Sequence, residues 1–372
     1  KFLKLKDFFF INHLNRLDVS FLLFCLGLFL LPSAFFIAAV LFLISLLISA
    51  FKYKNNFWQD KLNISFLLGS LLMIFSAFMQ TINNQTLLKY NISPSLTWIG
   101  LANWLPFFCF FWGFKPYLNN PFKRKICALI LVAGSLPVIV SGLGQVFFNW
   151  HGPFSTLNDL IIWYQRPITT LPGLTGLFNN PNYAGSWLNV IWPFSLALLI
   201  EGKDKILERI SIYLFIFGIS LSIILTNSRS AWMGIFLGSF LIYGQKSLKI
   251  IFNLLTIIAL IITSIIFPIF GKNIQNISRT LIPDSIWLEF SDFQYTRIEI
   301  WQKAIETALS HPIFGTGASS FPEIFKFETG IWKGHAHNLP LELIISYGIP
   351  AGLVILIPII FITVLSLKLI FS

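Results

Sequence analysis

The stretch VSFLLFCLGLFLLPSAFFIAAVLFLISLLISAF, residues 19–51, carries no charged side chain. A run of about 20 apolar residues spans the hydrocarbon core of a bilayer as a helix. Backbone polar groups inside lipid must be satisfied internally, so only helices and closed barrels cross it. Barrel strands show alternation over segments of about 10 residues, whereas the apolar blocks here are solid. The pattern predicts an all-α, polytopic transmembrane helical protein. Composition agrees: 11% of the 372 residues are charged and 56% are hydrophobic, against roughly 25% charged in soluble chains.

Ten spans are expected, at 19–31, 34–51, 63–80, 96–114, 126–148, 183–200, 210–226, 230–244, 250–270 and 338–368. The first two read as a hairpin around LPSA, and Gly348 and Pro350 predict a kink in the last. The chain thus divides into N-terminal transmembrane helices (1–270), a large periplasmic loop (271–337) and a C-terminal transmembrane helix (338–372). It begins at Lys1 rather than Met and stops within an apolar run, so it reads as a piece of a longer chain. Cys25, Cys109 and Cys127 all fall in apolar runs, which predicts no disulfide framework.

Lys and Arg set orientation. If the spans alternate, 17 of the 26 lie on one side, in 1–18, 52–62, 115–125, 201–209, 245–249 and at Lys368. That side is the cytoplasm, and the N-terminus with it, in a multi-pass membrane protein. The net charge of +11 is then a collar at the lipid surface. The bilayer is its partner, and nucleic acid is not. Four arginines, Arg166, Arg229, Arg279 and Arg297, fall on the outer side while most lysines lie inside. Arg presents a planar fork that suits phosphate.

Most of the predicted spans hold no charge at all, which argues against an ion-coupled transport path. Only Glu342 comes close, one turn inside the last span. Polar residues gather in the outer loops 149–182 and 271–337 and in the TNSRSAW turn at 226–232. Within the longer loop, Arg297, Trp301, Ile305 and Leu309 recur every four residues, as on one face of a helix. Glu299 and Lys303 form an i,i+4 pair on another face, and Pro312 with Gly315 and Gly317 ends the helix. An amphipathic helix with Trp beside a membrane is expected at the interface.

Four segments carry a family likeness: GLTGLFNNPNYAGSWLNVIWPF at 173–194, TNSRSAW at 226–232, RIEIWQKAIETALSHPIFGTG at 297–317 and HAHNLPLELIISYG at 335–348. With them the chain resembles the O-antigen ligase superfamily of lipid-linked polysaccharide ligases and polymerases, especially a cyanobacterial branch labelled bicarbonate transporters. The resemblance implies a metal-independent glycosyl transfer, with no cofactor, at the outer face of the inner membrane. It also implies a glycan donor on a polyprenyl diphosphate and a lipid or glycan acceptor. Two arginines would hold the diphosphate and a histidine before a late helix would activate the acceptor hydroxyl; Arg229, Arg297 and His337 stand at those positions. An arginine often found just before the Asn-Pro-Asn motif is replaced by Leu174 and Thr175, with Arg166 a candidate substitute. The late helix reads GIPAG where the family more often has GLLG.

Each candidate also has a plainer reading. His337 is a proton acceptor of near-neutral pKa, or a helix cap. His335, two residues away, could share a metal with it, but no acid cluster completes a ligand set nearby. Arg229 either stabilises a leaving diphosphate or reaches to lipid headgroups. Arg297 is a ligand or a solvated helix-end charge. Arg166 and Arg279 are weaker candidates of the same kind. Asn182 belongs to a turn cluster, Asn179–Asn182, that re-enters a span. The expectation is that Arg229, Arg297 and His337 line one outer-facing pocket. The competing functions are bicarbonate or other small-anion transport, and polysaccharide polymerisation by the same chemistry.

Overall fold

The computed structural model describes residues 18–53, 57–169, 172–201, 206–266, 271–280 and 297–371. It is a helical membrane protein. Among the described residues, six helical stretches are long and apolar enough to cross a membrane by length and composition: Phe35–Lys52, Lys61–Ile82, Pro94–Gly113, Pro121–Phe148, Pro181–Ile200 and Leu339–Ile370. Shorter apolar helices lie at Val19–Leu30, Arg209–Leu225 and Phe252–Ile261. The expected spans 210–226, 230–244 and 250–270 correspond to helices Ile206–Leu225, Arg229–Tyr243 and Gln245–Ile266. Two expected spans are interrupted. The stretch 96–114 contains a 3-10 turn, Gly100–Asn103, and 126–148 breaks at Ser135, ahead of Pro137 in the first turn of Leu136–Phe148. Proline is accommodated there because the first helical N–H groups have no intrahelical partner.

The described residues cluster into two compact units, one within 18–48 and 117–280, the other within 49–116 and 297–370. In the first unit, helix Pro181–Glu201 packs against Ile206–Leu225 and Arg229–Tyr243. Its core combines Leu188, Ile191, Trp192 and Leu196 with Val138, Ile139, Ile219, Ile223 and Ala231. The helices approach closely at Gly185, where a Cβ would stand 2.6 Å from that of Ala231. Lipid supplies no hydrophobic drive between spans, so small residues that admit close contact carry much of the association. The connection between helices Leu136–Phe148 and Pro181–Glu201 of this unit holds a short antiparallel hairpin, Phe154–Thr156 paired with Ile161–Trp163.

In the second unit, the last helix, Leu339–Phe371, packs on Lys61–Ile82 through Tyr347, Ala351 and Ile355 against Phe66, Met73 and Ala77. The expected kink is present, and it sits at Gly348 (φ 86°, ψ 166°), two residues before Pro350. The break frees carbonyls that a regular helix would satisfy, since Pro350 has no N–H to give to Ser346. The segment after the loop helix supplies the missing partners. Thr316 N donates to Ile345 O (2.7 Å), Gly317 N to Ser346 O (3.2 Å), and Ile349 N turns outward to Pro312 O (2.8 Å). Gln80 Nε2 adds a second donor to Ser346 O (3.0 Å). Irregular backbone at membrane depth is tolerated where protein groups satisfy it.

Gly348→Ala is therefore expected to destabilise this unit. A Cβ would land on the Ile313 carbonyl, at a positive φ that L side chains rarely adopt. The backbone conformation alone costs about 1–3 kcal/mol. Thermal unfolding in detergent should show a clear drop in midpoint, and an unchanged midpoint would refute this role of Gly348.

Candidate functional site

In the second unit, five neighbouring residues, Gly334–Asn338, lead into the last helix. Asn338 is its cap: Asn338 Oδ1 accepts from Leu341 N (3.1 Å), satisfying an N–H that the first turn leaves open. His337 is thus outside the helix and is not its cap. Ala336, fully buried, inserts its methyl among Ile300, Ala304, Ala308, Phe321, Phe325 and Ile345. That anchor turns the flanking His335 and His337 outward, where both are exposed. His337 takes φ 51°, and its N–H donates to His335 Nδ1 (3.1 Å). The two rings stand 4.1 Å apart at 64°. From inside the helix, Glu342 Oε2 accepts the Ala336 N–H at 3.0 Å.

The loop helix is described over Arg297–Ser310 and ends ahead of Pro312, where the sequence places its end. The stripe of Arg297, Trp301, Ile305 and Leu309 is exposed; the face turned to protein is Ile300, Ala304, Thr307 and Ala308. A second helix, Ser320–Thr329, packs Phe321 and Phe325 on that face. Lys303 ties the two by an ion pair to Glu328 (2.5 Å), and within its own helix it also pairs with Glu306 (3.0 Å). Because Ile300 and Ala336 share one core, the helix start lies at the histidine loop. The electrostatics bear this out. Partial burial of the ring, then the positive charges of His335, Arg297 and Lys333, hold His337 below the ordinary imidazole value. Each cause disfavours the charged form. The neutral ring is thereby favoured, with Arg297 among the positive charges that favour it.

In the first unit, two of the four family-like segments meet. Leu174 N donates to Leu225 O (2.8 Å), and Gly173 (φ 116°) comes so near the Thr226 carbonyl that a Cβ would collide with it. Arg229 begins helix Arg229–Tyr243 from this turn and is exposed. Its neighbours Ser228 and Ser230 share a hydroxyl bond of 3.0 Å. Buried Gln145 organises the other side of the same loop. Its Oε1 accepts from Thr175 N (2.9 Å) and Gly176 N (3.2 Å), and its Nε2 donates to Thr175 Oγ1 (2.9 Å) and to the Arg166 carbonyl. Arg166, exposed, is thereby held next to Thr175, the position where the resembling family more often has arginine. Asn180 Oδ1 accepts from Asn182 N (2.8 Å), the turn that starts helix Pro181–Glu201; Asn182 itself points to the surface. Arg279 lies in helix Lys272–Thr280.

Two contributors escaped the sequence reading, Gln145 and helix Ser320–Thr329. The latter carries a usable signal, Phe321, Ile324 and Phe325 at helical spacing. Among the described residues no three His, Cys, Asp or Glu side chains gather in a group that could hold a metal ion.

Residues 213–356 match the family model described as O-Antigen ligase. Over 346 residues the chain is 24% identical to the ComP-specific O-oligosaccharyltransferase of Acinetobacter baylyi, an alignment covering 86% of this chain and 55% of that protein. The chain therefore spans about half the length of the curated relative it matches. Both similarities support the resemblance to the O-antigen ligase superfamily. The matched region holds Arg229, Arg279, Arg297, His335 and His337; Arg166 and Asn182 precede it.

Proposed function

We propose that this chain, which matches the O-Antigen ligase model over residues 213–356, transfers a glycan from a polyprenyl-diphosphate carrier to an acceptor hydroxyl. The reaction would take place at the periplasmic face of the inner membrane, with the N-terminus cytoplasmic and 271–337 as the periplasmic loop. The observation that carries the reading is the placement of His337, exposed just outside the last span, on a loop whose Ala336 shares a core with Ile300 in the first turn of the helix that Arg297 begins. His337 takes the acceptor proton as the hydroxyl oxygen attacks the anomeric carbon. The carbon–oxygen bond to the carrier breaks, and the electron pair leaves on the diphosphate. Such a single displacement inverts the anomeric centre. Arg297 and Arg229 are assigned to the negative charge on the departing group. Arg166 is the next candidate on the side of Arg229.

Deleting the gene and profiling surface glycans together with lipid-linked intermediates tests the reading. The carrier-linked glycan should accumulate and the mature surface glycan should disappear. Normal glycans with a defect confined to bicarbonate uptake would overturn it. Product size then separates single-block transfer from polymerisation, which gives a ladder.

With guanidinium groups supplying the positive charge, turnover is expected to need no divalent cation. Purified protein in excess chelator should keep its full rate. Loss of activity that magnesium restores would refute this part.

A further inference from the structure

We propose that Glu342 is a positioning residue for His337, fixing the backbone of the His335–Ala336–His337 loop through the Ala336 N–H. The kinetic part rests on the general-base reading above; the structural part does not. Glu342 is the charged residue one turn inside the last span, a place where carboxylates are rare and usually have a task. Its Oε2 reaches back six residues to accept the Ala336 N–H at 3.0 Å. The cap is already supplied by Asn338, so the helix has no need of this carboxylate to begin.

The loop does need it. His337 sits at φ 51°, a conformation that persists only where surrounding contacts over-determine it. Three contacts do so: the Ala336 methyl in the core, the His337 N–H on His335 Nδ1, and the Ala336 N–H on Glu342. The first two leave the peptide between residues 335 and 336 free to swing about the buried methyl. Only the third fixes its plane, and with it the direction in which His337 leaves the chain. The charged groups facing His337 are His335 and Lys333 from its own loop and Arg297 from the loop helix, with Glu342 behind the loop.

Glu342→Ala leaves a buried N–H with no acceptor, whereas Glu342→Gln keeps an oxygen that can take the same bond. The test uses the full chain in nanodiscs with 15N-labelled histidine, the His337 signal being assigned by its loss in His337→Ala. In Glu342→Ala the loosened loop should let the ring move further into solvent and away from the positive charges around it, and its titration should move up toward about 6.5. Its kcat should fall about 10- to 100-fold, as for a displaced reacting group, with KM for the carrier-linked donor unchanged. Glu342→Gln should hold the ring's titration at or below the wild-type value and keep most of kcat.

Titration and kcat both unchanged in Glu342→Ala would overturn the proposal, as would a Gln variant as impaired as the Ala variant. If Glu342→Ala does not fold, Glu342→Gln carries the test alone, and loss of its kcat sinks the idea. A ring that titrates as expected in a protein without any glycosyl turnover would keep the positioning role and reject the enzymatic reading.

Discussion

His337→Ala is expected to abolish transfer, with a rate loss of about 10²–10⁴-fold, the usual range for a missing general base. Folding and donor binding should survive. The ring is exposed and contributes nothing to the core, and the loop's anchor is the neighbouring Ala336. His335→Ala should be milder, because its imidazole supports the loop by accepting the His337 N–H. The pH profile gives an independent reading. His337 works as the neutral base, and its affinity for protons is lowered by partial burial and by the charges of His335, Arg297 and Lys333. Activity should therefore be flat through neutrality and fall on the acid side only below the ordinary imidazole value of about 6.5. A His337→Ala enzyme within a few-fold of wild type, or a wild-type acid limb above that value, would remove His337 from the chemistry.

The membrane class, the extent of the loop helix and the kink in the last span were legible in the sequence because each is written locally. Runs of apolar residues, a four-residue stripe ended by Pro312, and a Gly–x–Pro in an apolar helix need no knowledge of partners. What was not legible depends on contacts far along the chain. That Asn338 rather than His337 caps the last helix could be told only once its side chain was seen bonding Leu341 N. The loop helix showed its bulky stripe, Trp301, Ile305 and Leu309, but buries the opposite, small-residue face, Ala304 and Ala308. Beside a bilayer, exposed bulk is ordinary, so residue size does not tell the protein face from the outer one. The location of the break at Gly348 follows from carbonyls that find donors in 312–317, some 30 residues earlier. Arg166 is held next to Thr175 by way of Gln145, a residue with no periodic or motif signal at all.

Replacing either arginine assigned to the diphosphate is expected to cost about 10²–10³-fold in kcat, the range for a lost donor to developing negative charge. The lysine variants Arg297→Lys and Arg229→Lys should recover part of that but stay well below wild type. They keep one positive charge but lose the two-pronged fork that a phosphate accepts. Arg297 allows a sharper distinction, since its charge is felt at His337. In Arg297→Gln that positive charge is gone, so the imidazole holds its proton more tightly and the acid limb should move to higher pH. In Arg297→Lys the charge remains and the limb should stay, although the rate falls. Fork geometry and charge thus separate into two observables, rate and pH profile. A solvated helix-end charge with no role would leave the rate of all these variants near wild type. Were Arg297→Lys to run at the wild-type rate, bidentate capture of the diphosphate would be refuted, and were Arg297→Gln to leave the acid limb in place, Arg297 would not act on His337. Arg229 starts its own helix in the first unit, so its assignment stands or falls on the rate of Arg229→Lys alone: a wild-type rate would return it to the plainer role of a side chain reaching to lipid headgroups.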